Sequence, residues 1–187
     1  MARSRARAKP HDPKPSRSGT GAAPVPTLVS ATVPRVWQGI GYRPLPDAAP
    51  ARSLFDFAAL PWPESGDIAF AWGASTAADG AERLIGAVVA ERSGNAVMLH
   101  GPVVTAGDAP LEIAAQLVAA ALDHATAASA GTVFTRPQGL DRVWVRFGFI
   151  PVPESALPAG FAGRTGVGLY AWRGGSALWS LRQNATA

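Results

Sequence analysis

Cysteine is absent from all 187 residues, which excludes a disulfide framework, a thiolate nucleophile and a thiolate-ligated zinc site. Histidine is scarce: His11, His100 and His124 are the only three, and the first lies in the N-terminal stretch, so no histidine-based metal centre is expected. No apolar run approaches the ~20 residues of a membrane-spanning helix, and a soluble, cytoplasmic protein with no membrane partner is expected. Walker-type loops, paired-carboxylate motifs, serine elbows and dinucleotide fingerprints are also missing. Charged residues make up only 16% of the chain against 48% hydrophobic, so most of it can bury a core. The length suits one domain, or one domain with a tail.

Lysine occurs only as Lys9 and Lys14, and the charge is uneven. Residues 1–20 hold six cations against Asp12, whereas the rest holds 11 cations and 12 anions. Residues 1–26 also carry prolines at 10, 13, 15, 24 and 26. Such a stretch cannot bury enough apolar surface to offset its ordering entropy, so 1–26 reads as a disordered basic tail and 27–187 as the domain. The tail is either an electrostatic arm for nucleic acid or an acidic partner, or a solubilising terminus. No apolar stretch follows its basic start, so it is not a secretory signal. The Arg, Ala, Gly and Pro bias has the look of a GC-rich bacterial coding sequence.

Beyond residue 66 the pattern becomes regular. Residues 67–73 (DIAFAWG), 83–91 (RLIGAVVAE) and 96–104 (AVMLHGPVV) read as an antiparallel meander, with turns at Asp79-Gly80 and 92–95. A long helix is expected over about 109–128, where Ile113, Leu117 and Ala121 share a face. Asp108 would cap it, Pro110 sits in its first turn and Gly131 lies past its end. A strand at 132–136, a short helix at 140–147, and strands at 149–152 and 166–172 complete the order. A short amphipathic helix at 52–60 precedes the meander. Residues 35–46 (RVWQGIGYRPLP) echo 142–153 (RVWVRFGFIPVP), so 27–75 and 132–176 are either a partial internal duplication or a chance likeness in a biased composition. This order is an α+β layout, with helices on both faces of a central mixed, mostly antiparallel sheet.

The order and the local text resemble the GCN5-related N-acetyltransferase (GNAT) superfamily over roughly residues 36–175. RLIGAVVAE looks like that family's central strand, with Gly86 in place. HGPVV at 100–104, followed by the long helix, looks like its cofactor strand and helix. DRVWVRFGFIPVP at 141–153 looks like its helix-then-Gly-Phe-strand signature. The resemblance implies that acetyl-CoA binds where the strands 96–104 and 132–136 splay apart, with its pyrophosphate on amides at the start of the following helix. The cofactor residues it implies are Val103, Val104, Gly107, Ala109, Glu112 and Ala114. It further implies transfer of an acetyl group to an amine, on a small molecule or a protein.

Two departures stand beside it. At the loop positions where the family usually carries Arg/Gln, Gly and Gly/Ala, this chain has Ala109, Glu112 and Ala114, and a glutamate adds negative charge beside an anionic ligand. Where the family often has a tyrosine that protonates the leaving thiolate, this chain has Trp144, which cannot deliver a proton and reads as core. His100 lies on the cofactor strand where related enzymes place a catalytic histidine, and a neutral imidazole there could take a proton from the acceptor. It could equally line the strand. Glu91 is either a second base acting through water or a solvated charge at a strand end. The chain is thus an acetyl-CoA-dependent N-acyltransferase or a non-catalytic binding module on the same fold. Trp179, in 177–182, would pack on a second subunit of a homodimer or fold back on its own sheet.

Overall fold

A computed structural model describes residues 27–63, 67–78, 80–164 and 178–182. The tail and the strand expected at 166–172 lie outside them. Eight strands among the described residues form one sheet: β1 (Arg35–Trp37), β2 (Ile40–Pro44), β3 (Ile68–Ala78), β4 (Ala81–Ser93), β5 (Ala96–Val104), β6 (Thr132–Thr135), β7 (Ile150–Pro151) and β8 (Trp179–Arg182). Their spatial order is β1-β2-β3-β4-β5-β6-β8-β7, and only β5 and β6 run parallel. The helices are α1 (Leu28–Ala31), α2 (Arg52–Phe57), α3 (Pro110–Ala127) and α4 (Asp141–Arg146).

The expected meander is present, with its first two strands longer and the third as expected. Two-residue turns at Gly80 (φ +78°) and Gly94 (φ +60°) join Ala78 to Ala81 and Ser93 to Ala96. Positive φ there lets the turn match the twist of the paired strands. Alternation along β4 and β5 then builds two cores. Val88, Ala90, Val97 and Leu99 face α3, where Ile113, Leu117, Val118 and Ala121 complete the larger one. Ala87, Val89 and Val103 face the other way, against Leu54 and Phe55 of α2. Helices therefore cover both faces.

Several details differ from the sequence reading. Ala109, not Asp108, caps α3: its carbonyl accepts from Glu112 and Ile113 (both 3.0 Å), and no side chain caps the helix. Pro110 fixes the first helical position, where its missing N–H costs nothing within the helix. The helix ends through Ser129 in the left-handed region (φ +59°), with Ala130 N–H returning to Ala125 O (2.9 Å). Gly131 serves packing instead, since a Cβ there would lie 2.7 Å from Asn95 Nδ2. The echoed text does not carry a shared conformation: Arg35–Trp37 is strand, whereas the same three residue types at 142–144 lie in helix α4. Trp179 folds back on its own sheet, paired through β8 with β6 and 9% exposed. Trp144 is core, wholly buried and edge-on to Phe149 at 4.9 Å.

His124, which the sequence reading left without a role, sits in the α3 layer. Trp72 Nε1 donates to its Nδ1 (3.2 Å) and Phe70 stacks on its ring at 4.0 Å. Burial lowers its pKa from the usual 6.5. Protonation would also cost the Trp72 hydrogen bond. The unfolded chain therefore binds the proton more readily, and stability rises with pH across this window. The contribution is complete above about pH 6.5 and is lost as pH falls from there towards the lowered value. Thermal midpoints measured between about pH 7 and 5 should fall, and His124→Gln should flatten that slope.

Among the described residues, no helix is long and apolar enough to cross a membrane, and no three His, Asp or Glu side chains converge as a metal site.

Candidate active site

β5 and β6 are hydrogen-bonded over four residue pairs, from Ala96↔Thr132 to Leu99↔Thr135. Above that point β5 continues from His100 to Val104 with no partner on its β6 side among the described residues. The cause is local. Pro137 follows Arg136 directly after β6, and Pro102 lies in the unpaired part of β5; each removes a ladder donor. Thr135 Oγ1 closes the last rung by donating to Leu99 O (3.2 Å). On its other side β5 stays paired with β4, through a bulge between Val89↔His100 and Ala87↔Val103 that accommodates Gly101 (φ +88°) and Pro102. Thr105 N–H donates to Ile85 O of β4 (2.8 Å). Backbone alternation then turns the Val104 N–H towards the open edge.

A cavity of about 270 Å³ fills the divergence. Pro102, Val103 and Val104 form one wall, Pro110, Leu111 and Ala114 of α3 its end, and Gln138 and Leu140 the opposite wall. Ala58 and Leu60, just after α2, reach it from the other face of the sheet. Its size suits a thin chain rather than a whole nucleotide. Two wider hollows, about 570 Å³ beside β8 and about 530 Å³ against β2 and β4, lie away from the strand divergence. Width alone does not single out a site, and neither hollow is lined by the stretch from His100 to Val104.

Of the cofactor residues expected from the sequence, Val103, Val104 and Ala114 line this cavity, and Gly107, Ala109 and Glu112 do not. Gly107 forms the turn into α3: its φ is +115° and a Cβ would stand 2.4 Å from Ile113 Cδ1. Because Ile113 is wholly buried, Gly107→Ala should cost about 1–3 kcal/mol through overpacking and backbone strain, read from urea unfolding. Glu112 points at Arg146 of α4, which donates to both carboxylate oxygens (3.1 and 3.0 Å). The carboxylate that appeared to oppose an anionic ligand thus has its own counter-ion. The sequence could not pair residues from two separate helices.

His100 and Glu91 come together. Their strands are adjacent, and the register Val89↔His100, Glu91↔Met98 places them diagonally on the face opposite α3. His100 Nε2 lies 2.6 Å from Glu91 Oε2, with the side chains 1% and 0% exposed. Glu91 is therefore no solvated strand-end charge, because β4 runs on to Ser93 and the carboxylate is sealed against the sheet. His100 Nδ1 has no hydrogen-bond partner among the described residues. A glutamate that accepts from Nε2–H leaves Nδ1 as the nitrogen with the free lone pair. The sequence signal for this pair was nine residues of spacing across a two-residue hairpin, which puts both side chains on one face.

Of the two tyrosines, Tyr42 is 1% exposed in the α3-side core, and burial raises its pKa above 10.0. It cannot serve as the acid at the divergence. Tyr170 lies outside the described residues.

No protein-family model matches the sequence, and no curated protein matches it. The structure does match solved ones. N-acetylglutamate synthase from Neisseria gonorrhoeae, complexed with coenzyme A and N-acetyl-glutamate, is 16% identical over 75% of this chain and 35% of that one, with a TM-score of 0.53. IAA acetyltransferase from Bacillus cereus ATCC 14579 is 11% identical over 77% of this chain and 99% of that one, with a TM-score of 0.51. An acetyltransferase of the GNAT family from Staphylococcus aureus Mu50 is 14% identical over 60% of this chain and 66% of that one, with a TM-score of 0.46. This chain thus spans just under two thirds of that last protein. At these identities the likeness is one of fold.

Proposed function

Because the chain has the fold of the GCN5-related N-acetyltransferases, we propose that it is an acyl-CoA-dependent N-acyltransferase working at the β5–β6 divergence. The observation that carries this reading is the run from His100 to Val104, unpaired on its β6 side, of which Pro102, Val103 and Val104 line a narrow cavity that ends at the start of α3 while His100 lies below it on the strand. Acetyl-CoA would lay its pantetheine arm along Val103 and Val104, with the Val104 N–H as donor to an arm carbonyl. The negative charge of the pyrophosphate would gain from the positive end of the α3 dipole, although Pro110 has no N–H and the Glu112 and Ile113 N–H groups already donate to Ala109 O. Glu112 is offset by a counter-ion of its own, since Arg146 pairs with that carboxylate.

His100 would act as general base. Glu91 holds its Nε2–H, and Nδ1 takes a proton from the acceptor ammonium, leaving a neutral amine to attack the thioester. The imidazolium then formed would be stabilised by Glu91 at hydrogen-bond distance. With Trp144 where a tyrosine often stands, the leaving thiolate would take its proton from solvent.

The binding-module reading has one observation in its favour. Pro110, at the first position of α3, removes an N–H from the turn that would face the pyrophosphate. Thermal denaturation separates the two. Acetyl-CoA at about 100 times its dissociation constant should add about 2.7 kcal/mol of stability, and CoA thiol should be released when a suitable amine is added. Absence of any shift with acetyl-CoA, longer acyl-CoAs and free CoA would leave the fold as a scaffold without a cofactor.

A further inference from the structure

The Glu91–His100 hydrogen bond can run in either direction. A carboxylate at Glu91 accepts from Nε2–H and leaves Nδ1 basic. A carboxylic acid at Glu91 donates to Nε2 and moves the imidazole proton to Nδ1. Only the first arrangement yields a base pointing away from the glutamate. What stands beside the buried carboxylate decides between them, because an ionised carboxylate removed from water needs an opposite charge or hydrogen-bond donors beside it.

That opposite charge comes from a distant part of the chain. Arg164, after the 3-10 turn Ala159–Phe161, places Nη1 3.8 Å from Glu91 Oε1, the oxygen that His100 does not use. Its Nη2 lies 3.5 Å from Asp67 Oδ1, and its Nη1 also donates to the Arg92 carbonyl (3.4 Å). The guanidinium rests 5.2 Å over the ring of Phe161. Phe161 is wholly buried in a cluster with Met98 and Phe134, so this platform is fixed to the sheet. The other buried cation of this region, Arg136, makes two 2.8 Å bonds to Glu154. Among the described residues, Arg164, itself only 22% exposed, is the arginine recorded within 4 Å of the Glu91 carboxylate.

We propose that Arg164 is a positioning residue: it keeps Glu91 anionic, and so fixes the direction of the Glu91–His100 hydrogen bond and places the basic lone pair on Nδ1. This rests on the reading of His100 as the base. No atom is gained or lost by the active arrangement. Without Arg164, one solvent proton is taken up by Glu91 and shared with Nε2, while the imidazole proton resides on Nδ1.

The test is nitrogen-15 NMR of the full-length protein labelled at histidine, at about pH 8, above the ordinary imidazole range. Three histidines give three ring spin systems, and His100→Gln assigns the relevant one. The wild-type protein should show His100 protonated at Nε2. Arg164→Gln should move the proton to Nδ1, and Arg164→Lys, which keeps a cation, should restore the wild-type form. An identical tautomer in wild type and Arg164→Gln would overturn the proposal, as would a lysine variant no closer to wild type than the glutamine one. Carbon-13 NMR of glutamate-labelled wild type gives a reading independent of any variant: Glu91 should be a carboxylate, and a carboxylic acid signal overturns the proposal. In turnover, Arg164→Gln should lower kcat at least tenfold with the KM for acetyl-CoA unchanged. A protein that shows the tautomer switch yet transfers no acyl group to any amine would refute the transferase reading and uphold the role of Arg164.

Discussion

His100→Gln is expected to lower acyl-transfer turnover by about a hundredfold or more, the usual range for a lost general base, while acetyl-CoA stabilises the variant as much as wild type. Glutamine is the informative replacement. Its amide can still donate to Glu91 Oε2, now 2.6 Å from the imidazole, so the buried carboxylate keeps a partner and the fold is spared an orphaned charge. What is lost is the lone pair at Nδ1. Alanine would confuse the two effects, since it leaves Glu91 sealed with no donor from β5. The measurement is steady-state turnover beside the acetyl-CoA-dependent shift in thermal midpoint. Unchanged turnover in the glutamine variant removes His100 from the chemistry, and a lost thermal shift would mean that it holds the cofactor instead.

Leu111→Trp should abolish most acetyl-CoA binding without unfolding the protein. Leu111 is 50% exposed on the first turn of α3, yet it lines the 270 Å³ cavity between β5 and the β6–α4 connection. Because half the side chain already meets solvent, an indole can be placed there with little strain in the core, unlike at Ala114, which is 1% exposed. The added ring would occupy the space the pantetheine arm needs. A loss of affinity of at least tenfold, or about 1.4 kcal/mol, should appear as a smaller acetyl-CoA shift against an unchanged midpoint of the free protein. Equal affinity in the variant would place the cofactor somewhere else, with the hollow beside β8 the next to test.

The architecture was largely legible from local chemistry. Hydrophobic alternation and two Gly-containing turns specify β3, β4 and β5, and Ile113, Leu117 and Ala121 on one face specify α3. These patterns depend on neighbours a few residues apart, which a linear text displays. The edge strand β1 and its neighbour β2 were missed because Arg35–Trp37 carries text that reappears as helix at 142–144, and only the pairing of β1 with β2 and of β2 with β3 decides the conformation. The sequence also proposed His100 and the divergent edge at Val103 and Val104. The resemblance implied that 96–104 and 132–136 splay apart, but the sequence reading did not single out Pro102 and Pro137, whose place at the end of the ladder shows only in the pairing of β5 with β6.

Charge pairing was beyond the text altogether. Glu112 read as an obstacle to an anion until Arg146, on another helix, was seen to pair with it, and Glu91 read as either a base acting through water or a solvated charge until strand register sealed it against His100. Composition, the hairpins and the long helix were set by the chain alone, because backbone geometry and side-chain period act over short separations, whereas His100 as a candidate base came from the family resemblance. Which carboxylate is buried, which cation answers it and where two strands part were decided only in three dimensions. Electrostatic and packing energies depend on distance through space and exclusion of water, and neither is encoded by separation along the chain.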